Sequence, residues 1–414
     1  MQVAVIGGGV VGVSSAYFLA AAGHEVVVIE RGSNVAEEAS FAHCGRITPA
    51  LATPWAMPGM PRQLLSMLFR GPAPLMLRHR FDPALWRWAS RWIAECELTR
   101  FRINKERLQR IGTYSRELLQ QLREHYHLEF EQSAGHLQLF RTERELALAR
   151  PGLAVLAETA LPHQLMDADA ARLIEPALNP ATPLLRALHL PEDEAGNCAL
   201  FSKQLKLISQ QMGVGFRFNT TVERVERVGP QIVLHCAGDS FAADGVILAA
   251  GSGNLPLLNA LGARVPFLPV QGYSATCPIR DFDEAPLASV SDDTFKTTIT
   301  RFGNRIRIAG VAEPCARRQE VPEAAQRTLH HVGMEWFPNA TNYNNATLWS
   351  NVQAMLPDGV PLLGQTPLHN VLVGMDDGAN GWTAALGIGK ILSDLLSNQH
   401  PDIDTDGLTL SRYG

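Results

Sequence analysis

Gly7-Gly8-Gly9-Val10-Val11-Gly12 fits the spacing G-x-G-x-x-G, between a β-branched strand from Val3 to Ile6 and an apolar helix from about Val11 to Ala22. That spacing suits a pyrophosphate. Gly7 permits a tight turn, Gly9 lets phosphate oxygens reach backbone N–H groups, and Gly12 lets the helix close on the strand. The helix start at Val10 and Val11 adds partial positive charge. A second strand runs from Glu25 to Glu30, and Glu30 stands 18 residues after Gly12. A carboxylate there takes ribose hydroxyls and repels a 2′-phosphate. Together these features predict an adenine dinucleotide other than NADP. The motif alone does not separate FAD from NAD.

Other segments bear on that choice. There is one glycine motif rather than two. Gly245 to Gly253 reads GVILAAGSG, a small-residue strand-to-loop crossing with Ala250 and Gly251 at its turn. Thr221 to Val228, Gln231 to Cys236 and Ser240 to Ala243 alternate as a three-stranded meander that starts near Val222. Near the C-terminus GMDDGANGWT opens a helix, and its backbone N–H groups around Gly378, Gly381, Trp382 and Thr383 can face the N1–C2=O edge of a flavin. In this order the segments favour FAD. The chain also reads as helical over about 84–124 and 201–212. Short strands are expected at 136–141, 162–167 and 187–190, period-two strands over 266–313, and a last strand and helix at 371–374 and 383–397. Residues 49–85 are Pro-rich and read as irregular.

Composition bounds the answer. The 414 residues are 46% hydrophobic and 19% charged with a net charge of −5, which excludes a disordered chain and disfavours a general nucleic-acid binder. Six Cys occur with no C-x-x-C pair, so neither a disulfide framework nor a zinc site is expected, and a reducing, cytoplasmic setting is. The apolar N-terminus lacks a basic leader and reads as the first strand and helix rather than a signal. No run of about 18 apolar residues is present, so peripheral contact is the only membrane association expected.

Beyond these motifs the chain resembles the FAD-dependent D-amino-acid dehydrogenases of small-subunit type, within the D-amino-acid oxidase/glycine oxidase superfamily. The resemblance runs nearly end to end. It is carried by VIGGGVVGVSSAYFLAAAGHEVVVIE, ITPALATPWAMPG, HLQLFRTE, LPEDEAGNCALF, VQGYS, TRFGNRIRIAGVAE, MLPDGVPLLG and GWTAALGIGKILSDLLS. It implies a mixed α/β fold: a Rossmann-type FAD-binding domain of discontinuous segments (1–50, 185–265 and 340–414) and a substrate domain with an antiparallel sheet and helices (51–184 and 266–339). It implies oxidation of a D-amino acid to an imino acid that hydrolyses to 2-oxo acid and ammonia, with electrons leaving to a respiratory acceptor, such as a quinone, rather than to O₂. Ser40 to Thr48 would run along the flavin, adding Ser40, Gly45 and Ile47 to the cofactor residues, with Arg31 beside Glu30.

The reaction needs orientation more than reactive side chains. The candidates are His43 to position the substrate or take an amine proton, and Tyr273 to meet a carboxylate. Four positions depart from the family pattern. His43 replaces an Asn, Gln271 a Lys, and Asp377 the His of a Gly-His-Gly. Most consequentially, Gln353 in NVQAMLPDG replaces the Arg that grips the substrate carboxylate, and a neutral amide cannot form the charged bidentate pair. Arg46 is the expected substitute. His43 and Cys44 are also readable as covalent flavin attachments, and Asp376 with Asp377 as an acidic subsite. Alternative readings are an oxidase or dehydrogenase of a cyclic or N-alkyl amino acid or other amine, and a flavin-bearing electron-transfer subunit of a hetero-oligomer; oligomeric state is left open. The acid-free stretch from Ala39 to Phe81 carries Arg46, Arg62, Arg70, Arg78 and Arg80 among Trp55, Met57, Met60, Leu64, Leu75 and other apolar residues, with Trp86, Trp88 and Trp92 following. It reads either as a surface for anionic membrane or as substrate-domain core or a dimer contact.

Overall fold

The computed structural model describes residues 1–67, 74–76, 83–314, 320–376, 378 and 380–413. Its first layer is a six-stranded sheet in the order Leu362–Gln365, Val371–Met375, Gly245–Leu248, Gln2–Ile6, Glu25–Ile29, Gly215–Arg217. All neighbours are parallel except the first pair. These strands are continuous apolar runs because both faces are covered. Val3, Val5, Val28 and Ile247 face the helices Val10–Ala21, Cys198–Gln211 and Gly381–Leu396. Ala4, Ile6, Val246 and Leu248 face the helix Asn254–Ala260 and the three-stranded sheet of Val222–Val228, Gln231–Cys236 and Asp239–Ala243.

The second layer is a larger sheet in the order Thr347–Met355, Leu268–Pro278, Arg305–Pro314, Thr297–Phe302, Ser289–Asp292, Ser133–Phe140, Arg186–Ala195, Arg46–Ile47, with Gln164–Met166 also on Arg186–Ala195. Its pairings are antiparallel apart from Ser289–Asp292 on Ser133–Phe140. The helix Glu323–Trp336 buries Leu329, Val332 and Trp336 against it. Beneath that helix Asp292 accepts from Trp336 Nε1 at 2.6 Å and from Arg141 Nε at 2.9 Å, which neutralises a buried carboxylate.

Several boundaries differ from the sequence expectation. Arg186–Ala195 and Thr347–Met355 fall in segments assigned to the dinucleotide layer but pair in the larger sheet, because both continue its hydrogen-bond ladder. Leu98–Tyr126, assigned to the substrate domain, lays Ile111, Leu118, Leu119 and Leu122 into the core of the dinucleotide layer. The single helical stretch at 84–124 is two helices, Pro83–Glu95 and Leu98–Tyr126. Glu97 starts the second by accepting from Arg100 N at 3.1 Å. The stretch read as irregular contains the helix Met60–Met67.

The last helix and the glycine-loop helix meet closely. A Cβ on Gly389 would lie 2.8 Å from Ser15 N, and backbone cannot retreat as a side chain can. Gly389→Ala is therefore expected to cost about 1–3 kcal/mol, the usual range for overpacking. Denaturant unfolding checks this; a change under about 0.5 kcal/mol, as for an ordinary surface substitution, would mean that the helices do not hold each other at this point.

Candidate active site

The glycine turn takes the shape its residues require. Gly7 has φ +110°, and a Cβ there would meet Ala249 O at 2.5 Å. A Cβ on Gly12 would lie 1.9 Å from Gly7 O, so only hydrogen fits where helix and turn touch. The Glu30 carboxylate accepts from Gly8 N at 2.5 Å and Gly32 N at 2.6 Å, which holds it at the end of its strand. Ser40 Oγ accepts from Val10 N at 3.1 Å, at the helix start. Arg31 is fully engaged by Glu38 through bonds of 2.7 and 2.5 Å.

A cavity of about 170 Å³ follows this turn. Among the expected cofactor residues, Gly7, Gly9, Val10, Val11, Glu30, Arg31, Ser40, Val222, Ala250, Gly251, Gly378, Gly381 and Trp382 line it. Gly12, Gly45, Ile47 and Thr383 do not, and each has another task. Gly12 sets the helix contact. Gly45, at φ +89°, passes Phe302 and Gly196 where a Cβ would come within 2.4 Å of the Phe302 ring. Ile47 is core, and Thr383 Oγ1 accepts from Thr48 N at 3.1 Å.

A second cavity of about 320 Å³ adjoins the first, and His43, Gln353 and Gly378 line both. His43, Arg46, Tyr273 and Gln353, dispersed in sequence, all reach this second cavity. Tyr273 and, outside this group, Asp376 differ from expectation. The Tyr273 hydroxyl donates to Glu313 Oε2 at 2.5 Å, so its proton goes to a protein carboxylate rather than to a substrate's. Asp376 lies on the dinucleotide cavity and not on the second one. Its Oδ1 accepts from Gly378 N at 2.8 Å, and burial raises its carboxyl while the charge of His43 opposes that. The acidic subsite is thus not formed by Asp376, and Asp377 lies outside the described residues. Gln271 is fully buried.

Arg46 is the informative cation. Its guanidinium lines the second cavity and has no carboxylate partner among the described residues. Beside it, Gly45 N donates to His43 Nδ1 at 3.1 Å, and Cys44 Sγ lies 3.9 Å from the same nitrogen. Burial raises the Cys44 thiol, but the charges of His43 and Arg46, with hydrogen bonds from His43 and the Arg46 backbone, outweigh it and bring the pKa to about 5. Sequence reasoning missed Lys105, which also lines this cavity. Burial lowers it to about 7, and its ammonium donates to Ala52 O and Thr53 Oγ1, both at 2.9 Å. The buried face of its helix also carries Asn104, Gln109, Ser115 and Arg116, so the pattern of apolar residues gives little warning of which polar residues turn inward.

The chain matches the FAD-dependent oxidoreductase family model over residues 2–395. It is 39% identical to D-amino acid dehydrogenases of Vibrio vulnificus over 416 aligned residues and of Azorhizobium caulinodans over the same length, with 100% of each chain covered. Among solved structures it superimposes on glycine oxidase from Geobacillus kaustophilus with TM-score 0.78 at 20% identity, covering 99% of both chains. It also superimposes on L-proline dehydrogenase from P. horikoshii with TM-score 0.77 at 17% identity, covering 100% of this chain and 97% of that one.

Cys44 provides a direct test of the electrostatics. Its alkylation by iodoacetamide in the cofactor-free protein is expected to be nearly level from pH 6 to pH 8, since the thiolate is already formed. Cys96, Cys198 and Cys277, which burial raises, should react only at higher pH. Arg46→Ala should move the Cys44 profile to higher pH. Mass spectrometry of the labelled peptides reads all three, and a Cys44 profile that rises tenfold per pH unit between 6 and 8 would contradict the assignment.

Proposed function

Since the chain belongs to the FAD-dependent oxidoreductase family, we propose that it oxidatively deaminates D-amino acids, with Arg46 in place of the usual carboxylate anchor. The observation that supports this reading is that the second cavity, lined by an Arg46 with no carboxylate partner among the described residues, adjoins the dinucleotide cavity at His43 and Gln353. The residues present fit FAD. The glycine turn leaves room for phosphates, Glu30 is aimed at a ribose, and the helix Gly381–Leu396 starts at the cavity with no side-chain cap on its first N–H groups. When bound, FAD accepts the hydride that leaves Cα.

The protein's own contribution is positional. Arg46 pairs with the substrate carboxylate, which fixes one end of the molecule. His43 is placed at the amine, where it takes the proton that must leave before the C–H bond can break. Gln353 offers an amide to the same substrate without adding charge. Apolar walls exclude water from the second cavity and so strengthen the Arg46–carboxylate pair. The imino acid then hydrolyses to 2-oxo acid and ammonia after release.

The electron acceptor follows from the resemblance as a quinone or another respiratory carrier. No described helix is long and apolar enough to cross a membrane. Among the described residues of the apolar stretch, Met57, Met60, Leu64, Leu75 and Trp92 line the second cavity, as does Trp55, which remains partly exposed. Leu68, Phe69, Arg70, Leu77, Arg78, Arg80 and Phe81 lie outside the described residues. Trp86 and Ile93, on the exposed side of Pro83–Glu95, are what a peripheral contact would use.

Anaerobic mixing of the FAD-loaded protein with D-amino acids is expected to bleach the oxidised flavin band. Loss of a charge-assisted contact costs about 1.5–3 kcal/mol, so Arg46→Ala should weaken substrate capture roughly ten- to hundredfold. Bleaching of Arg46→Ala with parental concentration dependence would refute the relocated anchor. Bleaching by cyclic or N-alkyl amines alone would favour that substrate class instead, and no bleaching by any amine would favour an electron-transfer role.

A further inference from the structure

The larger cavity is more than a seat for an α-carbon. At about 320 Å³ it is nearly twice the size of the dinucleotide cavity. Part of its lining comes from elements that contribute nothing to the dinucleotide cavity: Met60 and Leu64 on Met60–Met67, Trp92 on Pro83–Glu95, and Leu148, Leu153 and Leu156 on Glu143–Ala157. All are apolar. This part therefore lies away from the dinucleotide cavity and offers mainly hydrophobic burial, with Trp92 Nε1 a buried donor that has no partner among the described residues.

The charges around the cavity exclude the other side-chain classes. Asp292 is held by Arg141 and Trp336 Nε1. Asp293 is held by Lys296 at 2.7 Å and by Gln138 at 3.0 Å. Lys105 is turned to the backbone oxygens of Ala50 and Ala52 and to Thr53 Oγ1. Among the described residues no free carboxylate waits for a cationic side chain. Arg46, the arginine among the described residues that line this cavity, is taken by the substrate's own carboxylate on the reading above. A charged side chain would enter without a partner and lose its hydration.

We propose that this apolar part of the larger cavity is the side-chain subsite, and that the preferred substrates are D-amino acids with large apolar side chains, aromatic or branched. The inference rests on the proposed oxidation of D-amino acids and names its substrate class. Gly152, on Glu143–Ala157, provides the means to test it. It lines the cavity, and a Cβ there would be 3.8 Å from the Phe101 ring and 3.9 Å from Lys105 Cε, which is ordinary contact. A longer side chain at 152 would grow into the space that a substrate side chain needs.

Two measurements on the FAD-loaded full chain decide the matter. In anaerobic stopped-flow, flavin bleaching by D-phenylalanine and D-leucine should exceed that by D-alanine, D-lysine and D-glutamate at least tenfold in rate constant over dissociation constant. Gly152→Leu should lower the D-phenylalanine value at least tenfold more than the D-alanine value. The second measurement needs no turnover. 3-Phenylpropionate, read by its perturbation of the flavin spectrum, should bind at least tenfold tighter than propionate, and Gly152→Leu or Met60→Ala should shrink that ratio. Equal or faster bleaching by D-alanine or a charged amino acid, or equal binding of the two acids, overturns the subsite. If no amino acid bleaches the flavin while 3-phenylpropionate keeps its advantage, the subsite stands and the proposed reaction falls.

Discussion

The backbone from His43 to Thr53 is the part on which both cavities depend, and it is tied down from either layer. The larger sheet holds it through Arg307 Nη1 to His43 O at 3.0 Å, Thr300 Oγ1 to Cys44 O at 2.7 Å, and Gly196 N to Gly45 O at 2.9 Å. The last helix holds it through Thr383 to Thr48 N. Asp193 accepts from Ala50 N and Leu51 N, both at 3.2 Å, while Lys105 donates to Ala50 O and Ala52 O. Burial raises the Asp193 carboxyl to about 7 and lowers Lys105 to about 7, so each resists ionisation and is offset by the backbone dipoles and by the other's charge. Two groups that cost free energy to bury fix a loop that has no ladder of its own beyond Arg46–Ile47.

That tethering supports the proposed exchange of anchors. Gln353 sits on Thr347–Met355 and Arg46 at the start of the tethered loop, and both face one cavity. A cation can move between the two elements without altering the total charge of the site, because both backbones are rigid. Its neighbourhood does change. Arg46 acts on Cys44 directly, and on His136, which burial already keeps well below the ordinary histidine range. The Arg46 charge at this end of the loop is thus partly met by the Cys44 thiolate that it stabilises.

How much of this was legible depended on the range of the interactions. Gly7, Gly9, Gly12 and Glu30 belong to one continuous β-α-β unit, so local spacing was enough to read them. His43, Arg46 and Gln353 were found through resemblance, and their convergence needed the fold. Lys105 and Asp193 gave no signal, since each looks like a solvated charge until the loop that it holds is in place. The helix Glu143–Ala157 had one: Thr142 and Glu145 form a capping box, with Glu145 N to Thr142 Oγ1 at 3.3 Å, but Pro151 inside it masks the period. The two-layer boundary failed for a related reason. Arg186–Ala195 and Thr347–Met355 follow the segments of one layer in sequence and pair in the other, and pairing is non-local.

The bulged strand shows why the cavity wall is not a plain sheet. Leu268–Pro278 and Arg305–Pro314 slip register between Gly272 and Tyr273, whose partners are Ala312 and Gly310. The residue passed over is Val311, at φ +56°, a region in which a β-branched side chain is rare and strained. Glycine would relieve the strain, but valine is kept, buried at 3% exposure against the second core. Its side chain and the two residues beside it all line the larger cavity. The slip also frees Ala312 to exchange hydrogen bonds with residues 74–76, at 2.9 Å from its N to Pro74 O and 2.8 Å from Met76 N to its O. Pro74 and Leu75, which line the same cavity, are seated by these two bonds. Strain at one valine is thus tied to the wall of the larger cavity, and functional cavities are where such strain is usually retained.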